Sequence, residues 1–133
     1  MFPLPRRIHA VIDYSFSLFL MLSPAIFGFG EAKLETIIPI VAGMLICFYS
    51  FFTNYEGGLY RLFPMKLHYL LDLGIGLLIT SSPWIFGFRD ITYKPHMYSG
   101  LAFTLISIIN LLPLLKSYKF LFHKPSASLL GSH

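Results

Sequence analysis

Two histidine–aspartate pairs, His9 with Asp13 and His68 with Asp72, are the residues of this 133-residue chain best equipped for chemistry. Within each pair the spacing is four, so on a helix both side chains leave the same face. Imidazole and carboxylate so placed can do three things. The carboxylate can orient the ring by a hydrogen bond. Two pairs brought together offer two nitrogens and two oxygens, a donor set that suits zinc or another divalent ion. The same groups can also take up a proton. Catalysis fits less well, because neither H-E-x-x-H nor G-x-S-x-G occurs and no nucleophile is placed beside the pairs. Beyond a divalent metal no cofactor is predicted. A bis-histidine haem would match the symmetry, but nothing else in the sequence asks for it.

The pairs recur because the sequence around them is duplicated. Shifted by 59 positions, RIHAVIDYSFSLFLMLSPAIFGF (7–29) falls on KLHYLLDLGIGLLITSSPWIFGF (66–88), and nine of the 22 positions from 8 to 29 are identical. Ser15 and Ser17 fall on Gly74 and Gly76, small residues that let membrane helices approach closely. The expectation is that the first and third helices meet there and bring both histidines and both aspartates together. Arg7 and Lys66 occupy equivalent positions and could pair with the aspartate of the other repeat. Ser50, Thr53 and Asn54 close the second apolar run on the same side, and Ser107 and Asn110 lie in the matching part of the fourth.

Composition fixes where such helices can live. The chain is 56% hydrophobic and 12% charged, with mean hydropathy +0.70, whereas a soluble domain is about a quarter charged. That leaves too little polar surface to coat a water-soluble globule, so the lipid bilayer is the expected partner. The +4 charge does not indicate nucleic acid, because the basic residues lie between hydrophobic runs and form no basic face. Cys47 is the single cysteine, which rules out an internal disulfide and C-x-x-C chemistry; buried packing is expected of it. The first apolar run is too long for a cleaved signal and reads as a membrane helix.

The pattern predicts an all-α membrane protein of four transmembrane helices, about 8–27, 35–54, 64–87 and 95–112, with Pro113 bending the last rather than ending it. These make one membrane domain of two tandem hairpins, 7–55 and 64–115, related by a pseudo-twofold along the membrane normal. Residues 59–63 form a short connector. The tail 124–133 is polar, and its closing Gly-Ser-His reads as an expression remnant. Seven Lys and Arg fall on the side of the termini and three on the other, which places both termini in the cytoplasm of a prokaryotic inner membrane.

At the far end of each repeat the motif Ser-Pro-x-x-Phe-Gly-Phe recurs, through Ser23, Pro24 and Gly28 and again through Ser82, Pro83 and Gly87. The expected role is structural. Proline frees a carbonyl that the serine hydroxyl can help satisfy, and glycine permits the chain to reverse. Ser82-Pro83-Trp84 and the residues after it resemble the motif of the SPW-repeat family of small prokaryotic membrane proteins. The resemblance covers both repeats, although the first has Ala25 where tryptophan is expected. It implies a membrane location and a repeated two-helix hairpin, and it carries no catalytic residues over. The leading functional expectation is therefore a non-enzymatic membrane scaffold or accessory subunit, in a homo-oligomer or larger membrane complex. The alternative is a cation- or proton-binding protein or transporter component using His9, Asp13, His68 and Asp72. Polar stations do not continue across the bilayer, since Asp13 and Ser23 are ten residues or ~15 Å apart along largely apolar sequence.

Overall fold

Helices α1 (Arg6–Phe27) and α3 (Met65–Ile85) start directly after Pro5 and Pro64, two prolines also related by the 59-residue shift. Proline blocks extension backwards while its carbonyl opens the first helical turn, accepting from the His9 N–H at 3.0 Å and the His68 N–H at 3.3 Å. Each histidine is thereby placed at the end of its helix's first turn. The helices α2 (Leu34–Phe51) and α4 (Lys94–Phe122) complete the set. The computed structural model describes residues 4–30 and 33–122, so the tail at 124–133 lies outside the described residues.

Packing pairs α1 with α2 and α3 with α4, giving two hairpins. Three of the helices, α1, α2 and α4, are long and apolar enough to cross a membrane. The third has the length, 21 residues, but His68, Asp72 and the Ser81-Ser82-Pro83 segment reduce its apolar content. Large apolar side chains such as Val11, Leu18, Met44, Phe48 and Leu77 are exposed around the outside, as a lipid-facing surface requires. Inside, Leu20, Ala42, Ile46, Ile79 and Phe103 form the apolar core, and Phe16 of α1 stacks on Phe103 of α4 with centroids 4.4 Å apart. Cys47 is half-buried rather than buried; it lines an outward-facing apolar groove with Met44 and Phe48.

Close backbone approach occurs within the hairpins, not between α1 and α3 as the small residues had led us to expect. A Cβ on Gly43 would stand 2.5 Å from the Ser17 carbonyl oxygen of α1, and one on Gly76 would stand 2.5 Å from Thr104 Oγ1 of α4. Ser15 and Gly74 face outwards. The physical reason is the histidines and aspartates themselves. Four ring-and-carboxylate side chains set between α1 and α3 hold those backbones apart, so the small residues serve each helix's own hairpin partner.

Helix α2 departs from its expected end, whereas α4 meets the expectation that Pro113 does not end it. Helix α2 stops at Phe51, three residues early, because the chain turns back on itself. The carbonyls of Phe51 and Phe52 accept N–H groups from Leu59, Tyr60, Leu62 and Phe63, at 2.9–3.1 Å. Helix α4 continues through Pro113 to Phe122. A substitution pair tests the glycine contacts. Gly100→Val drives a side chain into the Thr80 backbone of the neighbouring helix, whereas Gly74→Ala enters open space. By thermal unfolding in detergent, Gly100→Val is expected to lose about 1–3 kcal/mol through overpacking, and Gly74→Ala to match or slightly exceed the parent.

Candidate functional site

Asp13 and Asp72 lie one turn beyond the histidines, and all four side chains are 0% exposed. The structure gathers the four expected residues into a ring in which imidazole and carboxylate alternate. His9 Nε2 lies 3.1 Å from Asp72 Oδ2 and 3.5 Å from Asp13 Oδ2. His68 Nε2 lies 2.9 Å from Asp13 Oδ2 and 3.3 Å from Asp72 Oδ2. In each case the shorter contact crosses between the repeats and the longer one runs within a helix. Burial without pairing would be very costly for such groups. Here each charge faces two groups of opposite kind.

The outer nitrogens of the rings are held reciprocally. His68 Nδ1 meets Thr53 Oγ1 at 2.9 Å, and His9 Nδ1 meets Asn110 Nδ2 at 3.4 Å. Thr53 and Asn110 are equivalent at the offset of 57 that aligns the second helices, and each serves the histidine of the other hairpin. Their hydrogen bonds fix the ring protons. The Thr53 hydroxyl donates its one proton to the Tyr49 carbonyl at 2.7 Å, so it accepts from His68, which carries N–H at Nδ1. Asn110 Oδ1 accepts from the Leu4 N–H at 2.9 Å, and Nδ2 donates to the Ile106 carbonyl at 2.8 Å. The amide therefore turns N–H towards His9 Nδ1, and His9 carries its proton on Nε2, donated to Asp72.

Of the supporting residues named from the sequence, Asn110 belongs to the site and Asn54 does not. Asn54 is exposed, its backbone N–H bonded to the Phe63 carbonyl, and Thr53 takes the inward place. Arg7 is exposed and Lys66 half-buried. The groups that face Asp13 and Asp72 are the two imidazoles. Ser107 is buried but donates to its own helix, at Phe103 O, 2.7 Å away.

Sequence reasoning missed the tyrosines. Tyr49 donates its hydroxyl to Asp72 Oδ1, and the Tyr55 hydroxyl lies 3.5 Å from Asp13 Oδ2. Tyr55 sits in the connector between α2 and α3, where burial, followed by the Asp13 charge, pushes its hydroxyl above the ordinary tyrosine range and keeps it a donor. Tyr69 packs edge-on against His9 with centroids 4.9 Å apart. At the offsets of 57 and 59, Tyr49, Tyr55 and Tyr69 correspond to Ile106, Leu112 and Ala10. The duplication that reveals the ring thus hides its aromatic wall. The ring is also unequal: Asp72 has both oxygens satisfied, while Asp13 Oδ1 is buried with no hydrogen-bond partner.

At the opposite end the repeated motif carries out backbone repair. Pro24 and Pro83 cannot bond to the carbonyls of Leu20 and Ile79, four residues back. Ser23 Oγ and Ser82 Oγ donate to those carbonyls, each at 2.8 Å. Gly28 and Gly87 then turn left-handed, at φ 66° and 73°, to end or follow the helices. Two copies of the same Ser-Pro device, each followed by a left-handed glycine, match a known repeat, the SPW repeat domain, over residues 7–110. The chain belongs to the SPW repeat family. Neither a curated protein nor a solved structure matches it. The tryptophan of the SPW motif, Trp84, is half-exposed and 6.0 Å from the Tyr93 ring, whereas Ala25 stands at its place in the first repeat.

Tyr49→Phe removes the donor to Asp72 Oδ1 and leaves every ring atom in place. It is expected to destabilise the protein by about 1–3 kcal/mol, the penalty of an unsatisfied buried acceptor. Tyr60→Phe, on the exposed connector, is expected to be neutral in the same denaturation series.

Proposed function

We propose that this SPW repeat protein is a non-enzymatic membrane scaffold or accessory subunit whose two hairpins are latched together by the buried histidine–aspartate ring. The observation that carries the proposal is the crossing of the shorter contacts, His9 to Asp72 at 3.1 Å and His68 to Asp13 at 2.9 Å, from one repeat to the other. Cavities of about 460, 540 and 440 Å³ lie at the turn 89–95, beside Tyr14 and Gly57, and on the outward face of α2. None of the three is lined by a ring residue, which favours a holding role over substrate turnover.

In this reading α3 is the fourth span, its polar groups turned into the bundle. The seven-to-three distribution of basic residues sets both termini in the cytoplasm of a prokaryotic inner membrane. The exposed apolar faces contact lipid and, in an assembly, neighbouring subunits. Alkaline phosphatase inserted after Gly58 is expected to be inactive and after Asp90 active; equal activity at the two sites would remove α3 as a span, and the reverse order would invert the orientation. For the latch, Asp13→Ala and Asp72→Ala are each expected to cost about 3 kcal/mol or more, since each strands buried imidazoles. Melting temperatures equal to the parent's would contradict it.

A further inference from the structure

We propose that His9 Nε2, Asp13 Oδ2, His68 Nε2 and Asp72 Oδ2 form a binding site for one divalent transition-metal ion of about zinc's size. The inference rests on the latch reading in using the same four side chains, and it adds what closes the ring at its centre. One ligand atom from each of the four residues lies within 4.8 Å of all the others. The four histidine–aspartate contacts, 2.9, 3.1, 3.3 and 3.5 Å, are four of the six edges of a tetrahedron and lie near the ~3.3 Å that ~2.0 Å metal–ligand bonds require, while the other two separations, up to 4.8 Å, shorten on binding. His68 Nδ1, the ring nitrogen away from the centre, donates to Thr53 as metal-ligating histidines usually do, whereas His9 Nδ1 faces the Asn110 amide N–H and must gain an acceptor when a metal binds.

Two further observations point to a cation. His68 carries its proton on Nδ1, towards Thr53, so a neutral His68 directs the Nε2 lone pair at two carboxylate oxygens 2.9 and 3.3 Å away. Lone pairs so placed need a positive centre between them, a proton or a metal. Asp13 Oδ1, the other oxygen of the same carboxylate, is fully buried without a hydrogen-bond partner, so the charge of this group is offset only on its Oδ2 side. Charge then selects the ion. Two carboxylates and two neutral imidazoles balance a divalent ion to zero, whereas a monovalent ion leaves a net negative charge in a buried site. Calcium is a poor match because it takes six to eight oxygen ligands. Nitrogen donors favour zinc, iron, cobalt or nickel.

Loading has a defined proton balance. The proton held between His68 Nε2 and Asp13 is released to water. The proton of His9 moves from Nε2 to Nδ1, and the Asn110 amide turns its oxygen to accept it, giving up its bonds to the Leu4 N–H and the Ile106 carbonyl. A ring of net charge −1 thus becomes neutral on gaining two positive charges and losing one proton.

The test is cobalt titration of the detergent-purified, tag-free protein after stripping with chelator. The expected result is one Co²⁺ per chain, with the visible absorption of four-coordinate cobalt, displaced by one Zn²⁺ that raises the melting temperature. His68→Gln and Asp13→Asn are expected to lose the band. Tyr49→Phe, which keeps all four ligand atoms, is expected to retain it despite its lower stability. Wild-type protein that melts cooperatively yet binds no more cobalt than Asp13→Asn would overturn the metal site and leave the latch standing. The latch fails separately, if the alanine variants of Asp13 and Asp72 melt with the wild type.

Discussion

Four ionisable side chains, buried at zero exposure between two helical hairpins, impose the constraint that the other features of this fold accommodate. In a low-dielectric interior an unpaired carboxylate is far costlier than most packing defects. The pairs must therefore find each other, and they do so across the repeats. The separation of α1 from α3, the restriction of close glycine contacts to each hairpin and the inward turn of Thr53 all follow. So does the wall of Tyr49, Tyr55 and Tyr69, which closes the site with aromatic rings while Tyr49 supplies a donor to Asp72.

The same logic operates on the backbone. Of the four prolines inside helices, Pro24, Pro39 and Pro83 each free a carbonyl that a side chain meets. Ser23 serves Leu20 and Ser82 serves Ile79, within their own helices. Pro39 frees the Glu35 carbonyl of α2, and this one is met from the other hairpin, by His96 Nε2 of α4 at 3.0 Å. His96 stands where the 57-residue offset places Pro39 itself, so one repeat supplies the defect and the other its repair. The bundle is thus tied between hairpins at both ends, by the ring at one and by His96 at the other.

How much of this was legible follows from what the duplication could reveal. Features present in both repeats were visible: the two histidine–aspartate pairs, the Ser-Pro-x-x-Phe-Gly-Phe motif, and the hairpins that carry them. Features present once were not. Tyr49 aligns with Ile106, so nothing marked it as a ligand of Asp72, and His96 aligns with a proline. Asn54 is grouped with Thr53 in the sequence because the second apolar run reads as a helix to residue 54. The return of the 59–63 segment onto the Phe51 and Phe52 carbonyls ends the helix sooner and turns Asn54 outwards. Ser17 and Gly76 are sites of close approach but to a different partner from the one expected, and Ser15 and Gly74 face outwards, because spacing along one helix does not say which neighbour it faces.

A double-mutant cycle between His68 and Asp13 measures the central contact directly. The wild type, His68→Ala, Asp13→Ala and the double variant are compared by reversible denaturation in detergent, with helical content as the readout. Coupling across the hairpins predicts an interaction energy of about 2 kcal/mol or more, the double variant losing much less than the sum of the singles. Losses that add to within about 0.5 kcal/mol would show that the two side chains stand side by side without holding the hairpins together.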